Sequence, residues 1–359
     1  MTGRDRAHDT VHGHVHVLVV GPKDHGVVKH GLELADAAGA PVLHLADVAE
    51  LDATMDELPE AIHVSFTDAL FGGPAEAPER IRALAHERKA WLGLHDVPQD
   101  GEGEDRLRRR RACYATICDD VTGIVVNSEH EQRCLAAAGA TVTPHVIPLP
   151  IPDLGPAGRI AQLENDGAGE IGGQGDDSIA DQPGAPERAP VIGVFGFLYP
   201  GKGVDDVIDA AAELHRSAGR PVGVVNIGGV SDGHQILVDE LADRALAAGV
   251  GFRVTGHVDD RDLPAALAAV DVPVIAHRHI SASGSLNSWL ALGRRPIAVT
   301  GDYVDEVAAR WPGHIRVVDR PDLAGAIADA LDDPASTWAD APVDWDWADV
   351  ARAHREVWR

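Results

Sequence analysis

The stretch GFLYPGKGVDDVIDAA, residues 196–211, sets Lys202 between two glycines, after the apolar run VIGVF and ahead of an alanine-rich amphipathic segment. A lysine in a glycine-bounded turn between a strand and a helix is well placed to meet an anion. Its ammonium supplies charge, and glycines such as Gly196 let the backbone come close to the ligand. Only three other lysines occur in the chain, Lys23, Lys29 and Lys89. A second anion-directed stretch is SASGSLNSWLALG, residues 281–293, where Ser283, Gly284 and Ser285 precede a helical pattern. The first N–H groups of such a helix and its dipole favour negative charge. The other reading of the same serines is a plain N-cap. A third candidate is His95 in LGLHDVPQ, at the end of an apolar run.

These residues need a scaffold, and the chain supplies one in alternating pieces. VHVLVVG (15–21) reads as a buried strand, followed by the helical HGLELADAAGA with its stop at Gly39. PVLHLAD, AIHVSF, KAWLGLHD and GIVVNS repeat the pattern. The second half does so again with APVIGVFG, RPVGVVNIGG, GFRVTGHV, DVPVIAHR and RRPIAVTG, separated by helical segments such as ILVDELADRALAAG. Strands in series with helices between them imply a parallel sheet covered on both faces. The expected class is α/β, with two Rossmann-like doubly wound domains facing across a cleft. Ligands bind at the carboxyl ends of such strands. The expected boundaries are 14–150 for the first domain, 151–189 for a flexible Gly/Asp/Pro-rich linker and 190–335 for the second domain. A closing helix over 336–359 is expected to pack back on the body.

Composition narrows the function. The length, 359 residues with 45% hydrophobic and 25% charged content, fits two globular domains. No apolar run reaches the roughly 20 residues of a membrane helix, and MTGRDRAHDTVHGH lacks a signal-peptide core, so a cytoplasmic protein is expected. Cys113, Cys118 and Cys134 read as reduced packing thiols. The net charge of -26 argues against nucleic-acid binding. One basic run, RLRRRR, holds Arg106, Arg108, Arg109, Arg110 and Arg111. It reads either as a contact for acceptor phosphates or the anionic inner face of a membrane, or as a solvated helix face. The 19 histidines make chance neighbours common, and no metal site is read from them.

Taken in order, GFLYPGKGVDDVIDAA, VNIGG, FRVTGHVDDRDLPAALAAVDVPVIAHR and SGSLNSWLALGRRPIAV resemble the C-terminal domain of the family 4 glycosyltransferases. GPKDHGVVKHGLELA, LGLHD and GIVVNSEHEQRCLAAAG are similar to that family's N-terminal segments. The resemblance implies a GT-B fold and a metal-independent hexosyltransferase without a resident cofactor. Such an enzyme moves a sugar from a nucleotide-diphosphate donor to an acceptor with retention of configuration, in glycan biosynthesis. The acceptor would be a glycan, a lipid-linked molecule or a small molecule.

The same resemblance assigns roles. Lys202 would face the departing diphosphate, cradled by Gly196, Ser283, Gly284 and Ser285. His95, with Asp96 behind it, would orient the donor sugar, and Gly26 would let backbone approach the substrates. Two departures stand out. Phe197 occupies the position of the family's loop arginine, so charge would have to come from Arg278 or Arg294. Ile280 and Ser288 occupy the positions of the family's two glutamates. Ribose recognition would then pass to Asn287 or Ser288 and the sugar contact to His279. A non-catalytic, glycan-binding or partner subunit is the competing reading, and a phosphorylase or epimerase shares the architecture. A dehydrogenase does not fit, because GPKDHG after the first strand lacks the G-x-G-x-x-G spacing.

Overall fold

In a computed structural model, residues 15–154 and 189–359 are described, and most of the expected linker lies outside them. The chain divides into two compact units, one formed by residues up to Pro150 together with Asp346–Arg359, the other by Ile151–Trp345.

Unit 1 runs β1 (His16–Val20), α1 (Gly26–Ala38), β2 (Val42–Leu45), α2 (Val48–Thr54), β3 (Ala61–Phe66), α3 (Ala77–Ala85), β4 (Lys89–Leu94), α4 (Glu104–Asp119), β5 (Gly123–Val126), α5 (Glu129–Ala137) and β6 (His145–Val146). All strand pairs are parallel, in the order β2-β1-β3-β4-β5-β6. The strands carry branched and aromatic residues on both faces because helices cover both: Leu18, Ile62, Val64, Phe66 and Leu92 are fully buried. α1 starts where the His25 ring accepts from Val27 N–H and stops at Gly39 in the left-handed region. Gly31 lets α1 sit close on the sheet, since a Cβ there would lie 2.3 Å from Val19 and 2.5 Å from Ser65.

Unit 2 runs β7 (Val191–Phe195), α6 (Val204–Ala218), β8 (Gly223–Ile227), α7 (Ile236–Ala247), β9 (Gly251–Val254), α8 (Leu263–Ala268), β10 (Val272–Ile275), α9 (Gly284–Ala291), β11 (Ile297–Val299), α10 (Asp302–Arg310), β12 (Arg316–Val318) and α11 (Leu323–Asp332). The order β12-β11-β10-β7-β8-β9 reverses direction between β7 and β10, the topological switch point at which open parallel sheets leave a crevice. Ile151, expected in the linker, is instead buried in this unit and bonds through its N–H to Trp345 O.

The last helix, α12 (Trp347–Val357), is shorter than the 336–359 expected and belongs to unit 1. A capping box of Asp346 and Asp349 starts it. It packs Val350, Ala351 and His354 against the unit, with α1 as its main partner. Residues 336–345 stay with unit 2, where buried Arg294 donates to the carbonyl of Thr337 and stacks on Trp338 at 4.4 Å.

Candidate functional site

At the switch point of unit 2, three glycines shape the loop after β7. Gly196, Gly201 and Gly203 all have positive φ. Gly203 is the tightest, because a Cβ there would lie 2.0 Å from the carbonyl oxygen of Ala276 at the end of β10. Arg278 N–H bonds to Gly201 O at 2.8 Å, and the Asn226 amide donates to Gly196 O at 3.1 Å. The loop is thereby fastened to the ends of both β8 and β10.

Lys202 is drawn inward by this docking. It is 3% exposed, where a solvated turn would have left it free, and its Nζ lies 5.9 Å from the centre of the Tyr199 ring. A Cβ placed on Gly196 would meet Nζ at 2.9 Å and Ser285 Cβ at 3.7 Å, so lysine and helix start share one small space. Among the described residues no carboxylate pairs with Lys202. Burial alone pushes its pKa down to about 7. His277, from the end of β10, is also buried, and its Nδ1 has no hydrogen-bond partner among the described residues. Burial first, and the nearby Lys202 second, hold its imidazole well below the usual range.

The start of α9 combines both readings of its serines. Ser283 Oγ caps the helix by accepting from Leu286 N–H at 3.0 Å and stands 3.0 Å from Ser285 Oγ. Gly284 is exposed and Ser285 half-buried; with Leu286 N–H taken by the Ser283 cap, the N–H groups of Gly284 and Ser285 are the helix-start donors without a partner inside the helix, and Ser285 borders the space that holds the Lys202 amine. Asn287 and Ser288 are buried in the helix, and Ser288 Oγ donates to Gly284 O. Ile280 is packed on the core of the unit, and His279 is exposed.

The two arginines considered as replacement cations are otherwise engaged. Arg294 is buried and donates to the carbonyls of Val270, Asp271 and Thr337, a structural clasp. Arg278 pairs with Asp205 and Asp206 at the start of α6. Phe197 is 63% exposed.

In unit 1, His95 follows β4, anchored by its N–H to Phe66 O at 2.9 Å and by Tyr114 Oη donating to its carbonyl at 3.0 Å. Its ring lies 4.7 Å from that of His30 on α1, and the other neighbour of His30 is Trp347 at 5.1 Å. Burial first, with His354 and His25 nearby, lowers the His95 pKa to about 4. Asp96 has a φ of 55°, unusual for a residue with a side chain, and pairs with Arg110 at 2.9 Å. Burial raises the Asp96 pKa, against the pull of Arg110. Gly26 opens α1, exposed, with nothing within 4 Å of a Cβ placed there.

The basic run follows its second reading, a solvated helix face over Arg106, Arg108 and Arg109, with Arg110 as the exception. Arg110 is 2% exposed and clasps Asp68, Asp96 and Glu102, fixing the loop that carries His95. Arg106 pairs with Glu102, Arg108 with Asp105 and Arg111 with Asp100, while Arg109 is exposed. With carboxylates beside four of its five arginines, the run is not a free basic patch. No helix among the described residues is long and apolar enough to cross a membrane.

Sequence reasoning missed His277, Asn226 and Tyr199 in unit 2 and His30 in unit 1. Asn226 and His277 carried no local signal because separate strands, β8 and β10, bring them in, whereas Tyr199 lies in the Lys202 loop itself and His30 on α1.

No family model matches the chain. The chain is 16% identical to HepE from Anabaena, solved with UDP and glucose, with a TM-score of 0.65 over 96% of this chain and 94% of that one. A sucrose-phosphate synthase from Thermosynechococcus elongatus gives 15% identity, a TM-score of 0.65 and the same coverage. The trehalose-6-phosphate synthase OtsA gives 11% and 0.62, over 96% and 95%. The fold is GT-B. Among curated proteins the GT-B chain is 29% identical, over 164 residues, to a 2-deoxystreptamine glucosyltransferase of Streptomyces kanamyceticus. That match covers 45% of the GT-B chain and 41% of the relative's own length.

Proposed function

We propose that this GT-B chain is a glycosyltransferase that takes a hexose from a nucleoside-diphosphate donor and passes it to an acceptor with retention of configuration and without a metal. The observation that carries the reading is the buried Lys202, lacking a carboxylate partner among the described residues, beside the open first turn of α9 at the switch point of unit 2. A nucleoside diphosphate leaving the sugar gains negative charge. A lysine charged while the donor is bound, together with N–H groups at a helix start, stabilises that charge more in the transition state than in the ground state.

His95 is the proposed orienting group for the sugar. With a pKa near 4 it is a neutral imidazole at neutral pH, fit to hydrogen-bond rather than to carry charge. Retention needs no dedicated base, because a phosphate oxygen of the departing donor can take the acceptor proton. HepE has been solved with UDP-glucose and a trehalose-6-phosphate protein of E. coli with UDP-2-fluoro glucose, so UDP-hexoses are the first donors to try. The curated relative glucosylates 2-deoxystreptamine, and aminocyclitols are accordingly the first acceptors.

A melting-curve screen with UDP, GDP and ADP identifies the base through ligand-linked stabilisation. Turnover is then scored with the matching nucleotide sugars, with and without EDTA. Transfer that persists in EDTA and gives the donor's anomer supports the whole reading. A second reading, a binding subunit without turnover, is favoured by Ile280 and Ser288 at the glutamate positions, Ser288 being turned back on its own helix. Diphosphate binding without hydrolysis or transfer would select it.

A further inference from the structure

We propose that the Lys202–His277 site is uncharged when empty and takes up one proton from solvent as a nucleoside diphosphate binds, so that donor binding at this site is proton-coupled. The inference rests on the donor-site reading above and adds to it a charge state.

What surrounds Lys202 decides its charge. The loop after β7 contributes Gly196 and Tyr199, α9 contributes Ser285, and β10 contributes His277. None of these is an anion. The carboxylates in the first turn of α6, Asp205 and Asp206, pair with Arg278 and Arg320. An ammonium removed from water with no counter-charge pays most of its solvation energy, so the neutral amine is favoured. The pKa of about 7 agrees with this geometry. His277 adds a second constraint, because a proton on either group disfavours a proton on the other. The empty pair therefore holds no proton at mildly alkaline pH. Its groups are an amine and an imidazole whose Nδ1 is buried without a partner among the described residues.

A diphosphate reverses the balance. Two or more negative charges within contact distance favour the ammonium, and the Lys202 pKa moves back above its solution value. The proton comes from the buffer, no bond to carbon is made or broken, and departure of the nucleotide releases it. Donor affinity then falls as pH rises above about 8, where the ionisation of the diphosphate itself is already complete.

The test is titration calorimetry with UDP, GDP and ADP at pH 8.5, in buffers of different ionisation enthalpy, on the full chain. The slope of binding heat against buffer enthalpy reads the proton number. An uptake of about 0.8 proton per nucleotide or more is expected, since the amine is nearly all neutral before binding and nearly all charged after. Lys202→Arg, which brings a permanent charge, should bind with an uptake close to zero. Binding by the unaltered protein with heat independent of buffer overturns this inference and leaves the donor-site reading intact. No heat and no melting shift with any of the three nucleotides overturns that reading, and this inference with it.

Discussion

The indole Nε1 of Trp358 donates to Nδ1 of His63 at 3.2 Å, joining the end of the chain to the third strand across 295 residues of sequence. The bond fixes the His63 tautomer: Nδ1 must be the acceptor and Nε2 carries any proton. His354 stands edge-on to the same ring at 5.2 Å, so α12 is held to the sheet through a small set of neutral imidazoles and indoles.

Trp358→Ala should accordingly weaken unit 1. The loss of a half-buried indole and of one hydrogen bond costs about 2–3 kcal/mol. Trp358→Phe, which keeps a ring and loses only the donor, should cost about 1 kcal/mol. Urea unfolding followed by a probe in each unit would check this, with the transition of unit 2 expected to stay in place. Equal displacement of both transitions would contradict it.

Acid should act on the same cluster. His30, His63, His95 and His354 all have lowered pKa values, with burial as the leading cause, and those of His95 and His354 fall to about 4. The unfolded chain binds protons at these sites near pH 6.5 while the folded one does not. Stability therefore rises with pH through this window and is lost as pH falls from about 6.5 toward 4. Melting temperature measured between pH 7 and 4.5 should drop steeply, and a flat profile would show that these rings charge without cost.

Lys202→Met should separate stability from function. The buried amine binds fewer protons folded than unfolded between pH 7 and 10.5, so the unaltered protein is penalised at neutral pH and recovers as pH rises. The methionine variant should melt higher than the unaltered protein at pH 7, with the gap closing toward pH 10. Its diphosphate binding and turnover should fall by about 2–4 kcal/mol, the scale for losing one charge-stabilising donor. A variant that melts lower at pH 7 and binds UDP normally would remove Lys202 from the site.

Within the arginine run, single changes should diverge. Arg110→Met leaves Asp68 buried without its counter-charge and frees the His95 loop, at a cost of about 3–5 kcal/mol. Arg109→Gln should stay within about 0.5 kcal/mol, as expected for an exposed side chain away from such features. Denaturant midpoints of the two variants decide the point; near-equal effects would show that the clasp contributes nothing.

The contrast between these arginines shows what the sequence could and could not convey. Strands β1, β3, β4, β7 and β8 are long apolar runs, and their order along the chain made the α/β class readable. The edge strands β6 and β12 span two and three residues and lack a pattern long enough to recognise. Lys202 was legible because glycines flank it, yet its burial was not, since that depends on Ala276 and Arg278 docking from β10 some 75 residues away. Arg110 read as a surface charge because its partners Asp68, Asp96 and Glu102 lie on other segments. Ser283 was legible in both of its readings, and the structure uses its hydroxyl as a cap while leaving the neighbouring N–H groups open.

Unit 1 is interrupted: α12 joins it only after the whole of Ile151–Trp345 has been made. During synthesis on the ribosome the exposed flank of α1 must wait, uncovered, for a helix not yet translated, whereas unit 2 is contiguous and can close as soon as it emerges. The half that begins first would thus finish last, a reversal of the usual N-to-C order of domain folding. In that interval the bare strip of α1 is a place for a chaperone to hold or for a neighbouring nascent chain to stick.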